Sequence, residues 1–156
     1  MLDAAGGSAI YQLTPAQLSF TEGEDRLRCV RLSEAGMVRW YADCCKTPVA
    51  NTMATSTAPF AGLLVALVDA AEDARSREEA LGPVVARAFA RDAVGPVGAG
   101  AHQGIPLSFL PRMIGLLARG VLRGKGQPSP FFAPGAGAPR VAPRVLTRDE
   151  RARLGP

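Results

Sequence analysis

The 156-residue chain has one histidine, one tryptophan and three cysteines, and each scarcity narrows the chemistry open to it. With a single imidazole, His102, any pair of nucleophile and base would have to be built around that residue. His102 sits in a Gly/Ala-rich stretch, residues 95–104, with no recognisable partner motif, which predicts a loop histidine rather than a catalytic one. Cys44 and Cys45 are neighbours and bridge only under strain, so the cysteines make no disulfide framework. A reducing compartment, the cytoplasm by default, is the expectation, because the opening MLDAAGGSAIYQ lacks the basic and apolar regions of a signal peptide. No glycine-rich loop with a phosphate-binding lysine leads from a strand into a helix, so nucleotide binding has no support.

Long apolar runs are also missing. The longest uncharged stretch, residues 47–68, contains Pro48, Asn51 and Pro59, and its apolar part, Phe60 to Val68, is too short to cross about 30 Å of hydrocarbon. No membrane is expected as a partner. Acidic charge is scarce in one place: residues 1–110 hold 9 basic and 12 acidic groups, whereas residues 111–156 hold 9 basic and 2 acidic. That imbalance suits an acidic partner or nucleic acid docking on the arginine-rich C-terminal third, or a solvated basic end. No aromatic residues alternate with these arginines as base-stacking platforms would.

What the sequence does contain is a β-patterned beginning. Ser8 to Leu13 and Gln17 to Phe20 favour strands, separated by Thr14-Pro15. Leu27 to Leu32 and Met37 to Ala42 are strand-like runs joined by Ser33-Glu34-Ala35-Gly36, which predicts a hairpin. A polar knuckle, Asp43 to Pro48, leads to a further short strand, Val49 to Met53, so an antiparallel meander from Ser8 to Met53 is expected. Alternation within Met37 to Ala42 puts Val38, Trp40 and Ala42 on one uncharged face, which predicts a largely buried Trp40. An aromatic ligand wall is the competing use of that ring.

Later segments change period. Phe60 to Val68 fits a buried strand or a buried helix equally, and Ala86 to Asp92 is open between the same two types. Ser76-Arg77-Glu78-Glu79 and Thr147-Arg148-Asp149-Glu150 match capping boxes. Ser108 to Arg123 predicts a helix, with Leu110, Met113, Ile114, Leu117 and Val121 as its inward stripe and Gly124 and Gly126 beyond its end. Gln127 to Pro143, with five prolines, reads as an extended segment pinned by Phe131 and Phe132. The expected class is α+β: a mainly antiparallel β domain with a C-terminal amphipathic helix over residues 1–126, and a Pro/Arg-rich tail over residues 127–156 packed on it.

Candidate chemistry centres on the knuckle. Lys46 and Arg39 lie close in sequence to Cys44 and Cys45 and would favour a thiolate there. Cys29 is expected to be a small buried residue, and a structural zinc site takes four ligands, more than this knuckle offers. Glu22, Glu24 and Asp25 crowd a turn and are expected to be solvated rather than to act as an acid/base pair.

The stretch LRCVRLSEAGMVRWYADCCKTPVANT, Leu27 to Thr52, resembles the second half of the glutathione-dependent formaldehyde-activating enzyme and centromere protein V family, whose hairpin ends in an Arg-x-Phe-Cys-x-x-Cys-Gly-Thr-type knuckle. Arg39, Tyr41, Cys45, Thr47 and Pro48 match it, while Ala42 stands at the first cysteine and Lys46 at the glycine. The likeness is closer to an uncharacterised bacterial branch with Arg-Trp-Tyr-Ala-x-Cys-Cys-x-Thr-Pro, and it extends weakly through Ser129 to Phe132 and Pro143 to Thr147. It implies a small β-tent and, in the family, a zinc-dependent carbon–sulfur lyase acting on glutathione adducts. The family's remaining zinc ligands lie before the segment represented here. Cys45 alone has a counterpart among the metal ligands. The expectation is therefore an N-terminally shortened relative, through a misplaced start or real loss. It would be non-catalytic as it stands, with no cofactor of its own and with zinc only if the missing half is supplied.

Overall fold

The computed structural model describes residues 2–68, 77–135 and 137–153, and shows a six-stranded, mostly antiparallel sheet with three short helices. Chain order runs β1 (Ile10–Leu13), β2 (Leu27–Arg31), β3 (Val38–Ala42), β4 (Pro48–Thr52), β5 (Ala61–Leu64), α1 (Arg77–Leu81), α2 (Leu110–Leu122), β6 (Arg144–Val145) and α3 (Arg148–Arg153). The sheet order is β1-β5-β4-β3-β2-β6. This is the α+β class that the change of period predicts.

The β2–β3 hairpin forms where expected, with Cys29 opposite Trp40, and β4 pairs with β3 through a register shift between Trp40 and Tyr41. The first strand is placed differently from the expected meander: β1 lies beyond β5, pairing Ile10 with Leu64 and Leu13 with Ala61. Gln17 to Phe20 is not a strand. Thr14 instead opens a 3-10 turn, Pro15–Gln17, in which the Gln17 Oε1 accepts from the Thr14 N–H at 2.8 Å. Pro15 supplies the fixed φ that such a first turn favours, and this local closure outcompetes extension. Phe60 to Val68 resolves into β5 followed by a 3-10 turn, Val65–Leu67.

One face of the sheet carries the core. Leu27, Cys29, Val38, Trp40 and Ala50 are buried there, and Phe131 and Phe132 from the C-terminal segment close over them with no exposed surface. The Trp40 and Phe131 rings are 5.1 Å apart, and Phe20 meets Phe131 edge-on at 6.1 Å. Trp40 is 1% exposed, and its Nε1–H donates to the Thr52 Oγ1 at 2.9 Å. Its role is core packing, as the alternation predicts.

Helix α2 follows a 3-10 turn, Leu107–Phe109, and ends in a Schellman arrangement: Lys125 N–H donates to Gly120 O and Gly124 N–H to Val121 O, with Gly124 at φ +61°. Its inward stripe departs from the expected one. Met113, Leu116, Leu117 and Gly120 face the domain, while Ile114 and Val121 are 61% and 57% exposed. Gly120 sets the rotation, because a Cβ there would lie 2.6 Å from Pro59 and 3.2 Å from Thr14, so the helix backbone itself is the contact surface. The Thr147–Glu150 capping box forms, with Glu150 N–H donating to Thr147 Oγ1 and Thr147 N–H to Glu150 Oε2. Ser76, at the head of the other expected capping box, lies outside the described residues.

Candidate functional site

The turn between β3 and β4 gathers the thiols. Ala42 N–H donates to Thr47 O and Asp43 N–H to Arg26 O, both at 2.9 Å, which ties the turn to its own hairpin and to the residues before β2. Lys46 adopts φ +57°, a left-handed backbone that costs a side-chain-bearing residue about 1 kcal/mol. The position is the one at which the resembling family pattern has glycine.

Cys44 and Cys45 are both exposed, with sulfurs 3.7 Å apart. Cys45 Sγ–H donates to Thr47 Oγ1 at 3.0 Å. Once the proton leaves, the Thr47 hydroxyl and backbone N–H become donors to the sulfur, and these two bonds, with that from Cys44, hold the Cys45 thiol below its ordinary range. Lys46 contributes less, since its ammonium is paired with Asp43 and lies 5.7 Å from the Tyr41 ring centre. Arg39 is exposed on β3 and does not contribute to this shift. In the sequence Thr47 stands only as a match to the knuckle pattern; its role as partner of the Cys45 thiol follows from the tight turn, which folds a hydroxyl two positions on back to the sulfur.

The other candidates stand apart. Cys29 is in the core, donating to Val141 O at 3.3 Å, and burial pushes its thiol up to about 11. His102 is exposed and held through its backbone, its N–H donating to Arg87 O and its carbonyl accepting from Ala90 N–H. Glu24 pairs with Arg140 and Asp25 with Arg26, both at the surface. Among the described residues no three of His, Cys, Asp and Glu are grouped to hold a metal. Cys45 with Cys44 does not fit a tetrahedral zinc centre, which needs two further ligands.

Of the eight C-terminal-third arginines, Arg140 pairs with Glu24 and Arg144 with Glu150, whereas Arg112, Arg119 and Arg123 on α2 are exposed and enter no ion pair among the described residues. No described helix is long and apolar enough to cross a membrane.

Neither the curated proteins nor the solved structures contain a match to this chain. Residues 1–142 match the model of a family of unknown function, DUF6151, and the chain therefore belongs to that family.

Proposed function

We propose that this chain is a non-catalytic binding module of the β-tent kind, in which the Cys45 thiolate, rather than a metal centre, takes up small disulfide ligands such as oxidised glutathione. The observation that carries this reading is the exposed Cys45 sulfur, 3.0 Å from Thr47 Oγ1 and 3.7 Å from Cys44. Attack of the thiolate on a small disulfide forms a mixed disulfide and releases one thiolate, an exchange that needs no outside oxidant. Cys44 is placed to displace the bound ligand, at the expense of a strained ring between adjacent residues. The resemblance to the formaldehyde-activating-enzyme family supports a glutathione-type ligand, and the left-handed Lys46 at the family's glycine position is consistent with a shared knuckle.

The test is mass spectrometry of the protein after incubation with oxidised glutathione. One glutathione should attach at Cys45, Cys44→Ser should leave that step intact, and Thr47→Val should slow it. Equal labelling of Cys44 and Cys45, or a Cys45 rate no faster than in the urea-unfolded chain, refutes the proposal.

A second reading, a zinc-dependent carbon–sulfur lyase or glutathione-adduct-binding protein, draws on Cys45 standing at a family ligand position. It requires metal ligands beyond those described. Zinc-dependent turnover of the glutathione–formaldehyde adduct by the purified chain would select it.

A further inference from the structure

Helix α2 has a second organised face, turned away from the sheet. With 3.6 residues per turn, Pro111, Gly115, Ala118 and Leu122 fall in one row along the helix, opposite the buried row that contains Gly120. Leu122 is 85% exposed, and the open face continues through Ile114 and Val121 on one flank to Leu107, 81% exposed, in the preceding turn. On the other flank Arg112, Arg119 and Arg123 form a single file. A soluble surface rarely gathers large apolar groups this way without covering them.

Gly115 is the second observation. A Cβ added there would meet no heavy atom within 4 Å, and the residue lies mid-helix without the positive φ that would call for glycine. Glycine inside a helix is unfavourable relative to alanine, and nothing in this fold requires it here. Its neighbours in the row, Pro111 and Ala118, are also small, so the centre of the face is a shallow trough in which another backbone can approach closely.

We infer that this outer face of α2 docks an acidic amphipathic helix of a partner protein, laid along the row Pro111, Gly115, Ala118 and Leu122. Charge selects the occupant. The segment from Leu107 to Lys125 contains no carboxylate, and the exposed file Arg112, Arg119 and Arg123, in no ion pair among the described residues, borders the row along one flank. That file accepts carboxylates from the partner's flank, and the apolar flank through Ile114 and Val121 accepts its aliphatic side chains. A second copy laid antiparallel on this face would bring the arginine files together, and one laid parallel would set each file against Ile114 and Val121. Nucleic acid would leave Leu107, Ile114 and Leu122 unused, and a bilayer would gain nothing from the trough at Gly115.

The experiment measures binding of a fluorescent designed helix, with a leucine and alanine seam and glutamates along one flank, to the full chain by anisotropy. A second designed helix carries lysines in place of the glutamates. The glutamate helix should bind, more weakly as salt rises, and the lysine helix should not. Arg119→Glu with Arg123→Glu should weaken binding by about tenfold or more per lost contact. Gly115→Leu, which enters open space, should fold with an unchanged or higher melting temperature and lose binding. Equal binding of the two helices, failure of the glutamate helix to bind, or full binding by Gly115→Leu overturns the inference. So does a dimer in sedimentation that Gly115→Leu dissociates, or retention on anionic vesicles or duplex DNA that Gly115→Leu leaves intact, since each assigns the face to another occupant.

Discussion

Replacing Trp40 tests how the domain is held together. The ring is 1% exposed, lies 5.1 Å from Phe131 and donates one hydrogen bond to Thr52. Burying about 200 Å² of indole at about 25 cal/mol per Å² corresponds to about 5 kcal/mol. Residual burial in the unfolded chain lowers this, and Trp40→Ala should cost about 3–5 kcal/mol. The hydrogen bond is separable. Trp40→Phe and Thr52→Val, with their double mutant, should show a coupling of about 1 kcal/mol, since Thr52 keeps its second bond to the Met53 carbonyl in the Phe variant. Urea unfolding followed by circular dichroism gives these values if the denaturant slope stays constant. A Trp40→Ala cost below about 1.5 kcal/mol at unchanged slope would mean that Phe131 and Phe132 close the core without the indole, and the packing argument would fail.

The Cys45 alkylation rate in iodoacetamide should rise at a lower pH than that of an ordinary cysteine, and Thr47→Val should move the profile upward, because the thiolate loses a hydroxyl donor. Cys29 acts in the opposite sense. Its folded-state value of about 11 exceeds the ordinary 9.0, so its contribution is complete below pH 9.0 and is lost as pH rises through about 11; Cys29→Ala should remove that part of the alkaline decline in urea stability. Gly126→Ala would place a Cβ 1.9 Å from the Ser56 carbonyl and should cost about 2 kcal/mol or more in urea unfolding, whereas Gly104→Ala, with open space around it, should stay within about 0.5 kcal/mol. Phe132→Ala should cost about 3–5 kcal/mol and expose the residues after Gln127 to limited proteolysis.

The hairpin and the burial of Trp40 were legible because alternation and a turn glycine are local signals, complete within Leu27 to Ala42. The place of β1 was not, since Ile10 and Leu64 carry no local mark of pairing with each other. On α2 hydropathy pointed to Ile114 and Val121 as inward residues, yet a glycine made the contact, and apolar scales rank glycine too low to reveal it. At the thiol turn the sequence indicated the cysteines and, through Lys46, the sign of the field. The hydroxyl of Thr47 became the larger cause because the turn folds it onto Cys45, while Asp43 occupies the lysine.

Strand β6 has only two residues, but it runs parallel to β2, matching Val30 with Arg144 and Arg31 with Val145, and Leu146 N–H donates to Arg31 O. Without it β2 would be the outermost strand, offering a row of unpaired peptide groups to any passing chain. The partner that seals this edge lies far downstream in the sequence. During synthesis the edge therefore stays open until Arg144 to Leu146 has been made, and nascent or C-terminally clipped copies are the ones prone to join strand to strand. Arg144 on that edge then pairs with Glu150 of the neighbouring α3, so the sealed edge presents charged side chains, which discourage a further strand from adding there.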